Sequence, residues 1–290
     1  SEASVVDEFI GFCDRRGWTP VFYSIHAETR TVLRARGWRD VGVGEETIVR
    51  PAEMELVGGR WKRVRQALAK ADREGIRAVW TRWSDLPASL TSQIEVLSEQ
   101  WVSEKALPEL GFTLGGLAEL RDPEVALLVA VDADDTLQAV TSWLPSWRDG
   151  EVVGWTLDFM RRSDDAMPEI MVYLIATAAL RMRDAGIGVM SLSGAPLVTR
   201  PVPDAEPAPR SSLLASILAW LAEVLEPVYG FRSLFEFKNK FHPELASLYM
   251  AYEDAASLPA AAGAILRAYL PTASARQVLG IVRGLSARRG

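Results

Sequence analysis

Apolar residues fall at helical spacing along Ser4–Arg15, at Val5, Val6, Phe9, Ile10 and Cys13, and Gly17 ends the run. The pattern then predicts a short strand over Pro20–Ile25, a helix over Glu28–Arg36 stopped by Gly37, and a strand or hairpin over Trp38–Val49. Gly58–Gly75 reads as a helix with Trp61, Val64, Leu68 and Ala71 on one stripe, while Arg63, Gln66, Lys70 and Arg73 occupy an adjacent face. A strand over Ile76–Trp83 and a helix over Ser89–Glu104 follow.

Val125–Val131, Leu137–Leu144 and Glu151–Met160 read as three strands of an antiparallel meander, with a turn at Asp132–Thr136. Pro168–Asp184 predicts a buried helix and Val189–Leu192 a strand. Val198–Arg210 reads as a Pro-rich loop and Leu213–Leu225 as a helix. Phe231–Phe241 and Ser247–Tyr252 read as strands, and Ala260–Leu270 and Gln277–Leu285 as terminal helices. A helix, a strand, a helix, then Gly-aromatic-Arg and a strand occurs over Ser4–Val49 and again over Pro168–Phe241. Only the second copy is preceded by a meander, so the first reads as a repeat lacking its opening half. The division expected is residues 1–82, an incomplete repeat carrying the basic helix, and 83–290, a complete repeat with terminal helices.

Composition narrows the chemistry. The 290 residues carry a net charge of −6, against a whole-surface nucleic-acid or membrane binder but compatible with a local basic patch. Cys13 is the one cysteine, so the chain forms no internal disulfide and no cysteine metal cluster. No apolar run reaches the roughly 18–20 residues of a membrane span. Ser1 in place of Met is expected to mark a processed chain or a piece of a longer one. With His26 and His242 as the only histidines, and without a Walker loop or metal motif, no nucleophilic triad, metal or cofactor is expected.

Charges among apolar residues are the conspicuous exceptions. Burying Asp158, Arg161, Lys238 or Lys240 without a partner costs on the order of several kcal/mol. Asp158 and Arg161 close a strand, either as a structural ion pair or as a site where the acid holds an amine or takes a proton and the arginine binds phosphate. On a strand, Lys238 and Lys240 share one face, either toward water at a sheet edge or toward an anion or developing oxyanion. Arg60, Lys62, Arg63, Arg65, Lys70 and Arg73 make the third helix either a solvated face or a phosphate-contacting surface.

Six segments, in order, resemble the soluble domain of the phosphatidylglycerol lysyltransferase family, the multiple peptide resistance factors. They are G-W-T-P-V-F-Y (Gly17–Tyr23), G-V-G-E-E-T-I-V (Gly42–Val49), the run Gly58–Gly75, L-D-F-M-R (Leu157–Arg161), S-L-S-G-A-P-L (Ser191–Leu197) and F-K-N-K-F-H-P-E (Phe237–Glu244). The chain departs from the family pattern in its Pro-rich loop and in Phe159, where Leu is usual.

The resemblance implies an α/β, tandem acetyltransferase-like (GNAT) fold of mixed, mostly antiparallel sheets flanked by helices, with the N-terminal repeat truncated. It implies transfer of a lysyl or alanyl group from aminoacyl-tRNA to a hydroxyl of phosphatidylglycerol, which alters membrane charge and resistance to cationic peptides. No cofactor is needed, because the aminoacyl ester is already activated. The partners implied are aminoacyl-tRNA, phosphatidylglycerol or another anionic lipid, and a membrane-spanning N-terminal part, with this chain at the cytoplasmic face of the cell membrane. Asp158, Arg161, Lys240 and Lys238 become the candidate catalytic residues, and the basic helix the tRNA contact. Glu45, Glu46, Ser193, Glu236 and Arg232 are the candidate substrate-binding residues, the three glutamates being available for a cationic side chain. Another acceptor (diacylglycerol, another lipid or a peptide) and a non-catalytic tRNA- or lipid-binding module are the competing readings.

Overall fold

The computed structural model describes residues 2–103, 115–196 and 231–269. In chain order these form α1 (Glu2–Asp14), β1 (Val21–Ile25), α2 (Ala27–Arg34), β2 (Arg39–Val49), α3 (Lys62–Arg73), β3 (Arg77–Thr81) and α4 (Ala88–Ser103). They continue as β4 (Ala126–Val131), β5 (Leu137–Arg148), β6 (Glu151–Arg162), α5 (Ile170–Asp184), β7 (Val189–Pro196), α6 (Phe231–Lys238), β8 (Glu244–Tyr252) and α7 (Leu258–Tyr269). The expected class is found: mixed α/β, with mostly antiparallel strands flanked by helices. Two compact units divide the described residues. One draws on 2–46, 194–196, 231–234 and 245–269, the other on 47–103, 115–193 and 235–244.

In the first unit the strand order is β1-β8-β2, with β1 antiparallel to β8. Val6 of α1, Leu33 of α2, Trp38 and Ala251 make its small core. Cys13 is buried in α1, as its place on the apolar face predicts. The buried Asp40 carboxylate is held by Arg30 at 2.8 Å and by Arg34, which offsets the cost of removing it from water.

In the second unit the order is β7-β6-β5-β4-β3. Strands β4, β5 and β6 pair antiparallel, as the meander predicts; β3 adds an antiparallel pairing to β4, and β6 pairs parallel with β7. A parallel pair needs a crossover, and α5 supplies it. Most α5 side chains are apolar, and Ile170, Val172, Leu174, Ile175, Ala176, Ala178 and Ala179 are buried. Strand β4 is buried on both faces by simple alternation. Ala126, Leu128 and Ala130 face the core that includes α3 and α5, while Leu127, Val129 and Val131 face the core that includes Ile94 of α4.

The expected helix at Gly58–Gly75 opens as a 3-10 turn at Gly59–Trp61 and continues as α3, with Trp61, Val64, Ala67 and Ala71 buried. Trp38–Val49 resolves into one strand, β2.

One expectation is overturned. Phe231–Phe241 is not a strand but helix α6 followed by a 3-10 turn at Asn239–Phe241. Its aromatic residues satisfy a helical period as well as an alternating one, and Phe237 and Phe241, four apart, meet edge to face at 6.1 Å. Lys238 and Lys240 therefore do not share a face, because two helical steps rotate a side chain by roughly 200°. The expected loop Val198–Arg210 and the expected helices at Leu213–Leu225 and Gln277–Leu285 lie outside the described residues.

Candidate active site on strand β6

The site begins with an irregularity between β5 and β6. Thr141 is opposite Met160, but Trp143 is opposite Leu157, so β6 sets one more residue than β5 between these pairs. This is a β-bulge at Asp158–Phe159, pinned by the Phe159 N–H donating to Ser142 Oγ at 3.0 Å. The bulge reverses the alternation of side chains. Leu157 faces the α3–α5 core and Phe159 the α4 core, although a regular strand would send both to one side.

Asp158 and Arg161, three residues apart, consequently face the same side. The Asp158 carboxylate accepts a hydrogen bond from the Gly115 N–H at 3.1 Å. The Arg161 guanidinium lies 3.6 Å from the ring centroid of Trp101 on α4 and 4.4 Å from that of Phe159, and Nη1 donates to the Met160 carbonyl at 2.8 Å. Arg161 is buried and opposite Val140 of the α4 core. Burial raises the proton affinity of Asp158 above that of an ordinary carboxylate, the Gly115 hydrogen bond opposes this, and the charge of Glu119 adds to it. An acid so placed suits proton transfer.

Beside the bulge, β6 pairs with β7 at Gly154–Val189, Trp155–Met190 and Thr156–Ser191. Past that pairing the backbone of Ser193 turns left-handed, with φ 67°. Its N–H donates to Ser191 Oγ at 3.0 Å, and its hydroxyl donates to the Leu157 carbonyl. Lys238, buried at the end of α6, donates from Nζ to the Ser193 carbonyl at 3.1 Å. Ser193 and Lys238 thus meet next to the residue that precedes Asp158. Lys240 goes elsewhere: its Nζ lies 3.1 Å from Glu169 Oε2, at the start of α5, and 5.1 Å from the Phe237 ring centroid.

The remaining candidates are dispersed. Glu45 and Glu46 lie on β2 in the first unit. Glu45 is 3% exposed and takes hydrogen bonds from Ser247 Oγ at 3.3 and 3.4 Å, while Glu46 pairs with His26 and raises its proton affinity. Glu236 is exposed on α6, and Arg232 belongs to the backbone of the same helix.

On α3, Lys62, Arg65, Gln66, Ala69, Lys70 and Arg73 line one shallow depression. Not all of its charge is idle. Arg65 Nη1 donates to the carbonyls of Leu56 and Gly58 at 2.7 and 2.8 Å, tying down the turn before the helix. Arg60 stacks 5.2 Å from the Trp61 centroid, and its carbonyl lies 3.2 Å from His242 Nε2. Arg63 is exposed.

Sequence reasoning missed Gly115, Trp101, Ser142 and Glu169, each of which acts through a contact distant in sequence. The doubled Gly115–Gly116 is the one local signal among them, marking a place where backbone comes close to something.

The family model for the C-terminal part of phosphatidylglycerol lysyltransferase matches residues 1–252. An uncharacterized protein of Corynebacterium glutamicum is 41% identical over 271 residues, covering 93% of this chain and 33% of its own length. The lysylphosphatidylglycerol biosynthesis bifunctional protein LysX of Mycobacterium ulcerans is 26% identical over 264 residues, covering 88% of this chain and 22% of its own. The chain therefore spans a third or less of these curated relatives. Among solved structures, L-PGS from Bacillus licheniformis has a similar fold, with a TM-score of 0.73 at 22% identity, over 92% of this chain and 78% of that one. Among the described residues, no helix is long and apolar enough to cross a membrane.

Proposed function

Since the chain belongs to the family of phosphatidylglycerol lysyltransferase C-terminal domains, we propose that it moves an aminoacyl group, lysyl or alanyl, from aminoacyl-tRNA to a hydroxyl of phosphatidylglycerol. The observation that carries this reading is the bulge that turns Asp158 and Arg161 to one side of β6. The relative named for lysylphosphatidylglycerol biosynthesis supports the choice of lipid and reaction class.

The donor ester is already activated. The acceptor hydroxyl oxygen attacks the ester carbonyl carbon, the new ester bond forms, and the terminal ribose oxygen of the tRNA leaves with a proton. Such a reaction needs orientation of two substrates, stabilisation of an oxyanion and movement of one proton. In this reading Asp158 binds the α-amino group or takes the proton of the attacking hydroxyl, and its raised proton affinity suits the second task. Arg161, its guanidinium braced on Trp101, holds a phosphate of lipid or tRNA as a fork. Lys238 lies beside Ser193 at the β6–β7 pair and is assigned the developing oxyanion. Lys240, within reach of Glu169, is assigned to phosphate.

Arg60, Lys62, Arg63, Arg65, Lys70 and Arg73 are assigned to the tRNA acceptor arm. Glu45, Glu46 and Glu236 are candidates for a cationic donor side chain, with Ser193 and Arg232 completing the substrate set. The repeats at 1–82 and 83–290 belong to this proposal as well. The pattern that suggested them counted Phe231–Phe241 as a strand, where the structure has helix α6, and the compact units draw on other segments. So do action at the cytoplasmic membrane face, attachment to a membrane-spanning part, and resistance to cationic peptides. The test is incubation with individually charged tRNAs and phosphatidylglycerol vesicles, followed by mass spectrometry of the lipid. A new aminoacyl ester of phosphatidylglycerol supports the reading, and its absence with every charged tRNA refutes it.

A further inference from the structure

We propose that Gly115 is a positioning residue for Asp158, fixing the carboxylate by joining a backbone donor to the space left by an absent side chain. The inference deepens the transferase reading and rests on it for the role of Asp158. The Gly115 N–H reaches Asp158 Oδ1 at 3.1 Å. A Cβ on Gly115 would lie 1.8 Å from Oδ2, 2.7 Å from Cγ and 3.3 Å from Oδ1. Non-bonded heavy atoms settle at roughly 3.5–4.0 Å, so any other residue here evicts the carboxylate from its present place. Gly115 has no left-handed φ, so the requirement is for space and not for conformational freedom.

Both sides of this contact are held. The Gly116 N–H donates to Glu119 Oε2 at 2.8 Å, and Leu117 and Leu120 seat the same turn in the core that contains Phe159. Opposite, the Phe159 N–H bond to Ser142 fixes the bulge that aims Asp158. The carboxylate cannot follow a displaced partner without loss of that core packing. The Gly115 donor also favours the charged form of Asp158, against burial and against Glu119 in the following turn. A glycine in this place therefore sets both where the acid sits and how readily it ionises.

The test uses the full chain as G115A, D158A and the double variant, in thermal unfolding and in aminoacyl transfer across pH. G115A is expected to lower Tm in the parent background and to leave it nearly unchanged beside D158A, where the atoms met by the new Cβ are gone. Against Asp158 itself, G115A is expected to lower kcat about tenfold or more with KM little changed, and to move the acidic limb of the pH profile upward. Equal loss of Tm in both backgrounds overturns the proposal, as does an unchanged kcat and acidic limb. If G115A does not fold, recovery of folding by D158A supports it and persistent failure overturns it. Parent-level transfer by D158A would instead refute the transfer role of Asp158, while the thermal cycle would still decide whether Gly115 holds its carboxylate.

Discussion

The buried ammonium of Lys238 donates to the carbonyl of Ser193 at 3.1 Å, while Lys240, two residues on, reaches the partly exposed Glu169. The two lysines thus differ in what their loss would do. Lys238→Met keeps the volume but strips a charge-assisted partner from a half-buried carbonyl, and is expected to cost about 1–3 kcal/mol. Lys240→Met removes an ion pair with side chains 22% and 46% exposed, and is expected to cost less than about 1 kcal/mol. Urea unfolding of both variants measures the difference. Equal costs would contradict the distinction.

Asp158 is expected to weaken the fold it serves. Its proton affinity is raised in the folded state, so the native chain binds that proton more tightly than the unfolded chain. Stability from this group is present at low pH and declines as pH rises from the ordinary carboxylate range through the raised folded value. Asp158→Asn is therefore expected to raise Tm at neutral pH, and the gain should shrink toward acid pH. Scanning calorimetry from acid to neutral pH reads this directly; a lower Tm for D158N at neutral pH would contradict it.

Ser142 gives the bulge its hydrogen-bond acceptor. Ser142→Ala leaves the buried Phe159 N–H without that oxygen, at a cost of about 1–3 kcal/mol, and frees the turn in β6 that aims Asp158. Hydrogen exchange at the Phe159 amide is expected to quicken in S142A, with exchange in β4 changing less.

The basic helix divides into structural and free charge. Arg65→Ala is expected to destabilise the turn at Leu56–Gly58, because its guanidinium satisfies two carbonyls there. Arg63→Ala and Arg73→Ala, on the exposed face, are expected to leave Tm alone. Each is expected to weaken tRNA binding and reduce the salt dependence by roughly one counterion. Binding isotherms at several salt concentrations test this, and an unchanged slope in both variants would exclude α3 as the contact.

Local patterning carries much of the fold. The helical stripe of α3 follows from spacing, because its period defines the face it buries, while α5 and the three-strand meander follow from their apolar runs and the turns between them. Patterning fails at α6, where Phe237 and Phe241 fit two periods and tertiary packing selects the helical one. The charged residues of L-D-F-M-R stand out in sequence because charge in a core strand is costly. Their common side is not legible there, since strict alternation sends Asp158 and Arg161 to opposite faces. The bulge that reverses this depends on Ser142, and the contacts of Gly115 and Trp101 join elements far apart in the chain.

The most direct test of the central claim, that one side of β6 carries the transfer site, is transfer by Asp158→Asn and Arg161→Met. Each variant, shown to be folded, is given charged tRNA and phosphatidylglycerol vesicles, and the aminoacyl ester is quantified by mass spectrometry. The parent chain is expected to form the ester and each variant to lose about a hundredfold or more in rate. Ester formation at the parent rate by both variants would contradict the account.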